Sequence, residues 1–126
     1  MSTAKPIVVR PEDATPGPAT PGMERRQLFA GNGRWAGWIR TDAGIAGGWH
    51  HHGANDSYIY ILSGSLTINF GAGGRESVRA AAGDFIFNPA NIIHRETTSP
   101  DGDVEAFVVR IGDGPQLVNV DGPDPE

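Results

Sequence analysis

The sequence contains no cysteine, and that absence removes several kinds of chemistry at once. Without cysteine there can be no disulfide framework, no zinc site with thiolate ligands and no cysteine nucleophile. Any metal ion that the protein binds must therefore be held by nitrogen and oxygen donors.

Long apolar runs and an excess of positive charge are also missing. The first ten residues contain only the short apolar run 7–9, too short for the core of a signal peptide, and no later stretch approaches membrane-spanning length. The 15 acidic residues outnumber the 10 basic ones, giving a net charge of −5. Because nucleic acids and anionic membrane surfaces are also negative, both are disfavoured as partners. We expect a soluble cytoplasmic protein.

The length of 126 residues fits one domain with its own core. Prolines and glycines crowd residues 11–22, a composition that does not favour a regular β-ladder. We therefore predict an extended N-terminal arm over residues 1–22 and a single folded domain over residues 23–120. Residues 121–126, which show no pattern, are predicted to form a flexible tail.

Short β-rich runs separated by turn-forming residues fill the predicted domain. Their number and spacing predict an all-β sandwich or barrel. A glycine-rich loop at residues 71–74 predicts a hairpin between two of these runs. No window has the spacing of a long amphipathic helix, although residues 23–26 could form a short helical turn. The predicted strands are Gln27–Ala30, Trp35–Thr41, Gly48–His52, Tyr58–Leu62, Ser65–Phe70, Glu76–Ala80, Asp84–Asn88, Ile92–Thr98, Val104–Ile111 and Leu117–Val120.

The four histidines are clustered in two places, at positions 50–52 and at His94. Successive side chains of a strand point to opposite faces, so His50 and His52 share a face about 7 Å apart while His51 points the other way. His94, on a later strand, could supply a third nitrogen. Taken separately, the triplet also fits a surface tract and His94 a structural histidine; the residues around them favour a metal site.

Glycines and a proline frame these histidines at the spacing of two cupin motifs. The first motif is glycine, five residues, His-x-His, three or four residues, glutamate, six residues, glycine; the second is glycine, five residues, Pro-x-Gly, two residues, histidine. The matching residues are Gly44, His50, His52 and Gly64 for the first motif, and Gly83, Pro89 and His94 for the second. The chain thus resembles the cupin superfamily. The resemblance implies a double-stranded β-helix, or jelly-roll, barrel with a metal site at the three histidines.

The sequence departs from the cupin pattern at several positions. Ser57 stands where the glutamate ligand is usual, Asn91 where the second motif has glycine, and Thr98 where it often has asparagine. A serine hydroxyl is a poor ligand for a divalent ion, so we predict a shell of three histidines and water. Asp56, the preceding residue, could contribute only if a bulge turned it inward.

A shell of three neutral imidazoles leaves the double positive charge of a divalent ion uncompensated, which favours an anionic or enolisable substrate. The resemblance implies a dioxygenase with Fe(II) favoured, although Mn, Ni, Cu or Zn also fit these ligands. Glu96, two residues beyond His94, is predicted to act as a general base or to orient an imidazole, and Ser57 to hydrogen-bond a metal-bound water. Glu96 could equally be a solvent-exposed carboxylate and Ser57 a space-filling residue.

Three classes of function stay open at this point. The first is the dioxygenase-like enzyme, the second a non-oxidative isomerase, cyclase or lyase, and the third a cupin that binds a small ligand without turnover. The runs 58–62 and 107–109 are apolar on both faces, which predicts that a partner covers the outer face. We therefore expect a homodimer, to which the arm 7–22 could contribute by crossing to the partner.

Overall fold

The computed structural model of the chain describes residues 4–18 and 20–125. Its strands are β1 (Thr15–Pro16), β2 (Met23–Gly31), β3 (Arg34–Thr41), β4 (His50–His51), β5 (Asp56–Ser63), β6 (Ser65–Phe70), β7 (Glu76–Ala81), β8 (Phe85–Asn88), β9 (Arg95–Thr98), β10 (Val104–Ile111) and β11 (Val118–Asn119). Two 3-10 turns, Pro11–Asp13 and Ala72–Gly74, are the only helical segments in the described residues. No helix among those residues has the length and apolar character needed to cross a bilayer.

The strands form three antiparallel sheets. A six-stranded sheet has the order β1-β2-β3-β10-β5-β8, a three-stranded sheet has the order β7-β6-β9, and β11 pairs with β4. The prediction of an all-β protein is confirmed, as is the hairpin of β6 and β7, which pair from Ser65 with Ala81 to Phe70 with Glu76.

The ends of the chain are more regular than their composition indicates. Thr15 and Pro16 pair with β2 at the edge of the large sheet, a position where a proline costs no ladder hydrogen bond. Residues 23–26 belong to β2, so the helical turn considered there is wrong. Near the other end, the carbonyl oxygen of Asp124 accepts a hydrogen bond from the backbone N–H of Gly73 at 2.8 Å. The division into arm, domain and tail stays a prediction.

The apolar core lies between the large sheet and the β6–β7 hairpin, because alternate residues of each strand point inward. On β10, Val104, Ala106 and Val108 are buried, while Phe107 between them is partly exposed. The buried core residues are Ile61, Ala80, Val104, Ala106 and Val108, with Trp35, Ile39, Ile59, Leu66 and Ile86 packed against them. Toward the end of β10 this inward-facing series continues to Arg110, and there the interior becomes polar.

Candidate metal centre

Backbone pairing brings His50 and His94 directly opposite each other. The N–H of His50 donates to the carbonyl of His94 at 3.0 Å, and the N–H of His94 donates to the carbonyl of His50 at 2.9 Å. Directly opposed residues of an antiparallel pair present their side chains on the same face. His52, two residues further along, returns to that face, so one end of the barrel receives three imidazoles.

The three rings form a compact cluster. Their centroids are separated by 5.0 Å for His50 and His52, 4.3 Å for His50 and His94, and 5.2 Å for His52 and His94. Each histidine offers one nitrogen, and these three nitrogens lie within 4.8 Å of one another. Tetrahedral coordination at about 2.1 Å places ligand nitrogens roughly 3.4 Å apart, so a modest closure of the rings would suit a divalent ion.

Backbone carbonyls fix the tautomer of all three rings. The Nδ1 atom lies 2.8 Å from the Gly48 oxygen in His50, 2.7 Å from the Gln116 oxygen in His52, and 3.0 Å from the Ile92 oxygen in His94. A carbonyl only accepts, so each Nδ1 carries the proton and donates it. In the neutral form of each ring, Nε2 is then the atom that can coordinate a metal ion, which is the usual way that proteins orient histidine ligands.

His51 takes no part in the cluster, as strand alternation predicts. Its Nδ1 accepts a hydrogen bond from the backbone N–H of Gly53 at 2.9 Å. Among the described residues, the group that could hold a metal ion consists of His50, His52 and His94.

Glu96 and Asn88 both approach the Nε2 of His94. The Glu96 Oε1 atom is 3.4 Å from this nitrogen, and the Asn88 side-chain amide is 3.1 Å from it. Glu96 therefore lies beside the cluster, where a carboxylate could accept a proton or orient an imidazole. Both side chains would have to yield part of their contact with His94 to a metal ion.

The electrostatic environment keeps two of the histidines neutral. Burial, assisted by the positive charge of Arg110, lowers the pKa of His52 to about 3, and burial also lowers the pKa of His50. Burial acts on His94 in the same sense, but its hydrogen bond and charge interaction with Glu96 raise the pKa of His94 above the usual value. In Glu96 the desolvation that would raise the pKa is outweighed by His94, and the pKa falls. Metal binding thus competes with a proton mainly at His94.

The other predicted residue, Ser57, lies in a polar row across the large sheet. Ser57 of β5 is opposite Asn88 of β8 on one side and Arg110 of β10 on the other, so the three share the inner face. Ser57 is 1% exposed, and its Oγ has no hydrogen-bonding partner among the described residues. The structure thus places Ser57 inside the barrel; its chemical role stays a prediction.

Arg110 was missed by the sequence analysis, although a signal for it exists. Val104, Ala106 and Val108 are spaced by two along a predicted strand, and Arg110 is the next residue in that series. Its guanidinium carbon lies 4.9 Å from the ring centroid of Trp35, which is opposite it on β3. Desolvation lowers the pKa of Arg110 to about 10, while the charge of Glu96 acts in the opposite sense, so Arg110 remains cationic at neutral pH.

The departures from the cupin motifs have structural explanations. Asn91 has a φ of 63°, the left-handed conformation that glycine usually supplies and that asparagine tolerates. The hydroxyl of Thr98 donates to the Asp42 carbonyl at 2.7 Å, which ties the loop before β4 to β9. The Oδ1 atom of Asp56 accepts from the Ala90 N–H at 2.8 Å, so this carboxylate is used in a loop contact and lies outside the histidine group.

A cavity of about 750 Å³ lies on the opposite side of the large sheet. It is lined by arm residues such as Val9 and Pro11 and by outer-face residues such as Trp38, Leu62 and Phe107. None of the three histidines lines it, so this groove is separate from the candidate metal centre.

The sequence matches the family model described as the ChrR Cupin-like domain over residues 4–112. The chain belongs to this cupin family. The match confirms that the chain is a cupin, and the predicted double-stranded β-helix barrel is confirmed as well. A metal ion at the three histidines fits the donor set of this cupin, because three neutral imidazoles suit several divalent transition metals.

Solved structures support the same fold. The polyketide cyclase RemF from Streptomyces resistomycificus is 20% identical, with 96% of this chain and 90% of that chain covered and a TM-score of 0.73. A predicted oxalate decarboxylase from Thermotoga maritima is 23% identical, with coverages of 85% and 100% and a TM-score of 0.71. An RmlC-like cupin from Shewanella frigidimarina is 20% identical, with coverages of 86% and 93% and a TM-score of 0.71. No curated protein matches the sequence.

Proposed function

We propose that this cupin is a metal-dependent, dioxygenase-like enzyme that acts on a small anionic or enolisable organic substrate. The observation that carries the proposal is the convergence of His50, His52 and His94, each with its Nδ1 bound to a backbone carbonyl. This arrangement directs one nitrogen of each ring towards a common point, and a three-ligand shell leaves coordination positions open for substrate.

Electrostatic balance supports an anionic substrate. Glu96, whose pKa is lowered, contributes one negative charge, and Arg110 contributes one positive charge. These two charges sum to zero without forming a salt bridge, so the double positive charge of a bound divalent ion would remain uncompensated by the protein. A substrate that binds as an enolate or carboxylate would supply the missing negative charge.

Each polar residue of the site has a distinct part in the proposal. A divalent ion, with Fe(II) favoured, would act as a Lewis acid that lowers the pKa of an enolisable substrate and offers open positions for a second reactant. Glu96 would accept the proton that such a substrate loses, because its carboxylate lies at the edge of the cluster beside His94. Ser57 would hold the bound substrate or a water by its unpartnered hydroxyl.

A second candidate function is a non-oxidative isomerase, cyclase or lyase. The observation that favours it is the carboxylate of Glu96, since a base beside a Lewis acid suffices for proton transfer without dioxygen. The fold likeness to a structure titled as a polyketide cyclase is compatible with such chemistry. A cupin that binds a ligand without turnover would use the same histidines.

Oxygen uptake separates these candidates. Protein loaded anaerobically with iron(II) would be mixed with 1,3-diketones and 2-oxo acids, and oxygen consumption and product formation would then be followed on admitting air. The proposal predicts substrate-dependent oxygen uptake that is lost in His94→Ala and kept in His51→Ala. Conversion of substrate under strict anaerobiosis would support the non-oxidative candidate, and retention of unchanged ligand would support the binding module.

A further inference from the structure

We infer that Arg110 and Ser57 form an anion subsite that binds the carboxylate of a small oxo acid whose keto oxygen reaches the metal centre. This inference rests on the proposed function and makes it more specific, because it assigns the charged group of the substrate to residues outside the histidine cluster. Neither residue holds the metal ion in this account; both position the ligand.

The first observation is an arginine without a hydrogen-bonding partner. The guanidinium of Arg110 forms neither a hydrogen bond nor a salt bridge with any described residue, and its Nε is buried. Its aromatic neighbour Trp35 stabilises the cation from one side only. Buried charges are normally paired because desolvation is costly, so this guanidinium has unused donors in a partly desolvated site.

The second observation is the unpartnered hydroxyl of Ser57. It lies directly across the ladder from Arg110, and residues so paired have Cβ atoms about 5 Å apart on one face. Ser57 is 1% exposed, so its Oγ is desolvated as well as unpartnered. These side chains, paired across the ladder, thus offer two donors to one acceptor.

A hydrogen bond and a close packing contact position Trp35, which lies against Arg110. Trp35 donates from Nε1 to the side-chain oxygen of Gln27 at 3.0 Å, which fixes the indole that faces the guanidinium. Gly37 is in contact with this indole, and a Cβ there would collide with the ring. The chain therefore reserves space for Trp35 and, through it, holds the guanidinium in position.

The subsite belongs to the same chamber as the histidines. Ser57 lies across the ladder from Asn88, and the side-chain amide of Asn88 is 3.1 Å from the Nε2 of His94. A planar carboxylate matches the fork of an arginine side chain in a bidentate manner. A ligand with a carboxylate on Arg110 and a further oxygen on the metal would satisfy both positive centres.

Calorimetric binding to iron(II)-loaded protein under argon tests the inference without any turnover. The probes are pyruvate, acetoacetate and levulinate, which place the keto oxygen at increasing distance from the carboxylate, together with their methyl esters and inorganic phosphate. The variants are Arg110→Gln and Ser57→Ala. The matched control is Arg34→Gln, which removes an exposed arginine on β3 outside the site. Metal content is measured for every protein first.

We expect at least one oxo acid to bind the wild type, and its ester to bind at least tenfold more weakly. Loss of a charge-assisted contact in a desolvated site should weaken acid binding by roughly tenfold to a hundredfold in Arg110→Gln, and Ser57→Ala should weaken it several-fold. Arg34→Gln should bind like the wild type. All variants should retain one metal ion per chain.

Several results would overturn the inference. The inference fails if no oxo acid binds, if the ester binds as tightly as the acid, or if Arg110→Gln binds the acid with unchanged affinity. In each case the proposed function still stands, provided that the protein holds one metal ion per chain. Tighter binding of inorganic phosphate than of all three acids would show that the subsite serves a different anion. A wild-type protein that takes up no metal would overturn the proposed function and this inference together.

Discussion

Replacing Arg110 with methionine should make the metal-free protein more stable, even though the variant loses a charged side chain of the site. A pKa of about 10 instead of 12.5 means that the charged guanidinium costs the folded state roughly 3 kcal/mol at neutral pH. The interaction with Trp35 that is lost is worth about 0.5–2 kcal/mol. Methionine would keep the apolar contacts of the arginine stem, so we expect a net gain of about 1–2.5 kcal/mol.

Urea unfolding in the presence of a chelator measures this difference. The free energies of unfolding of wild type and Arg110→Met would be compared at pH 7, with Arg34→Met as the control for loss of an exposed arginine. The control should change stability by less than about 0.5 kcal/mol. If Arg110→Met is instead less stable than the wild type by about 1 kcal/mol or more, Arg110 is a structural residue and the argument from its desolvation fails.

Three further predictions concern the shell, pH and assembly. Ser57→Glu should add a carboxylate ligand, so dialysis should show tighter metal retention and calorimetry should show weaker oxo-acid binding. If neither metal retention nor oxo-acid binding changes, the predicted shell is contradicted. Because His52 has a folded pKa near 3, the metal-free protein should lose stability as the pH falls below about 6.5, with a shallower slope in His52→Gln. Phe85 is 81% exposed and contacts the ring of Tyr60, so together they form an apolar patch on the outer face. Light scattering at micromolar concentration should therefore give a dimer mass for the wild type and a monomer mass for Phe85→Glu; a monomeric wild type would refute this.

The direction of the pH effect follows from where the proton binds. Unfolded chains protonate histidine below about pH 6.5, whereas folded His52 stays neutral until about pH 3, so the unfolded state binds more protons between these values. Stability from His52 is therefore complete above pH 6.5 and lost as the pH falls. The lowered pKa of His50 acts in the same sense, so the slope in His52→Gln should be reduced and not abolished. The raised pKa of His94 acts only above that window, and the lowered pKa of Glu96 adds a further loss of stability below about pH 4.5. An identical slope in His52→Gln would contradict this assignment.

The fold and the histidine cluster could be predicted because they depend on local pattern. Strand alternation places His50 and His52 on one face and turns His51 away, and the structure has this arrangement. The spacing of the motif glycines and of Pro89 identified His94 as the third member. The alternation repeats with the period of the backbone, whereas the third histidine followed from the resemblance to the second cupin motif.

The rest of the site depends on contacts between distant segments. The carbonyl of Gln116 that orients His52 lies 64 residues further along the chain, and no periodic pattern connects the two. Arg110 shows its importance only when its lack of a partner and its position opposite Ser57 are known. The pairing of Thr15 and Pro16 with β2 was also missed, because the proline-rich composition outweighed any strand signal there.

The metal content of the protein, purified without an affinity tag, tests the central claim most directly. Elemental analysis should find one divalent transition-metal ion per chain in the wild type and in His51→Ala. It should find essentially none in His50→Ala and in His94→Ala, since each removes one of three converging nitrogens. Absence of metal from the wild type after reconstitution, or equal loss in all three variants, would contradict the assignment of this site.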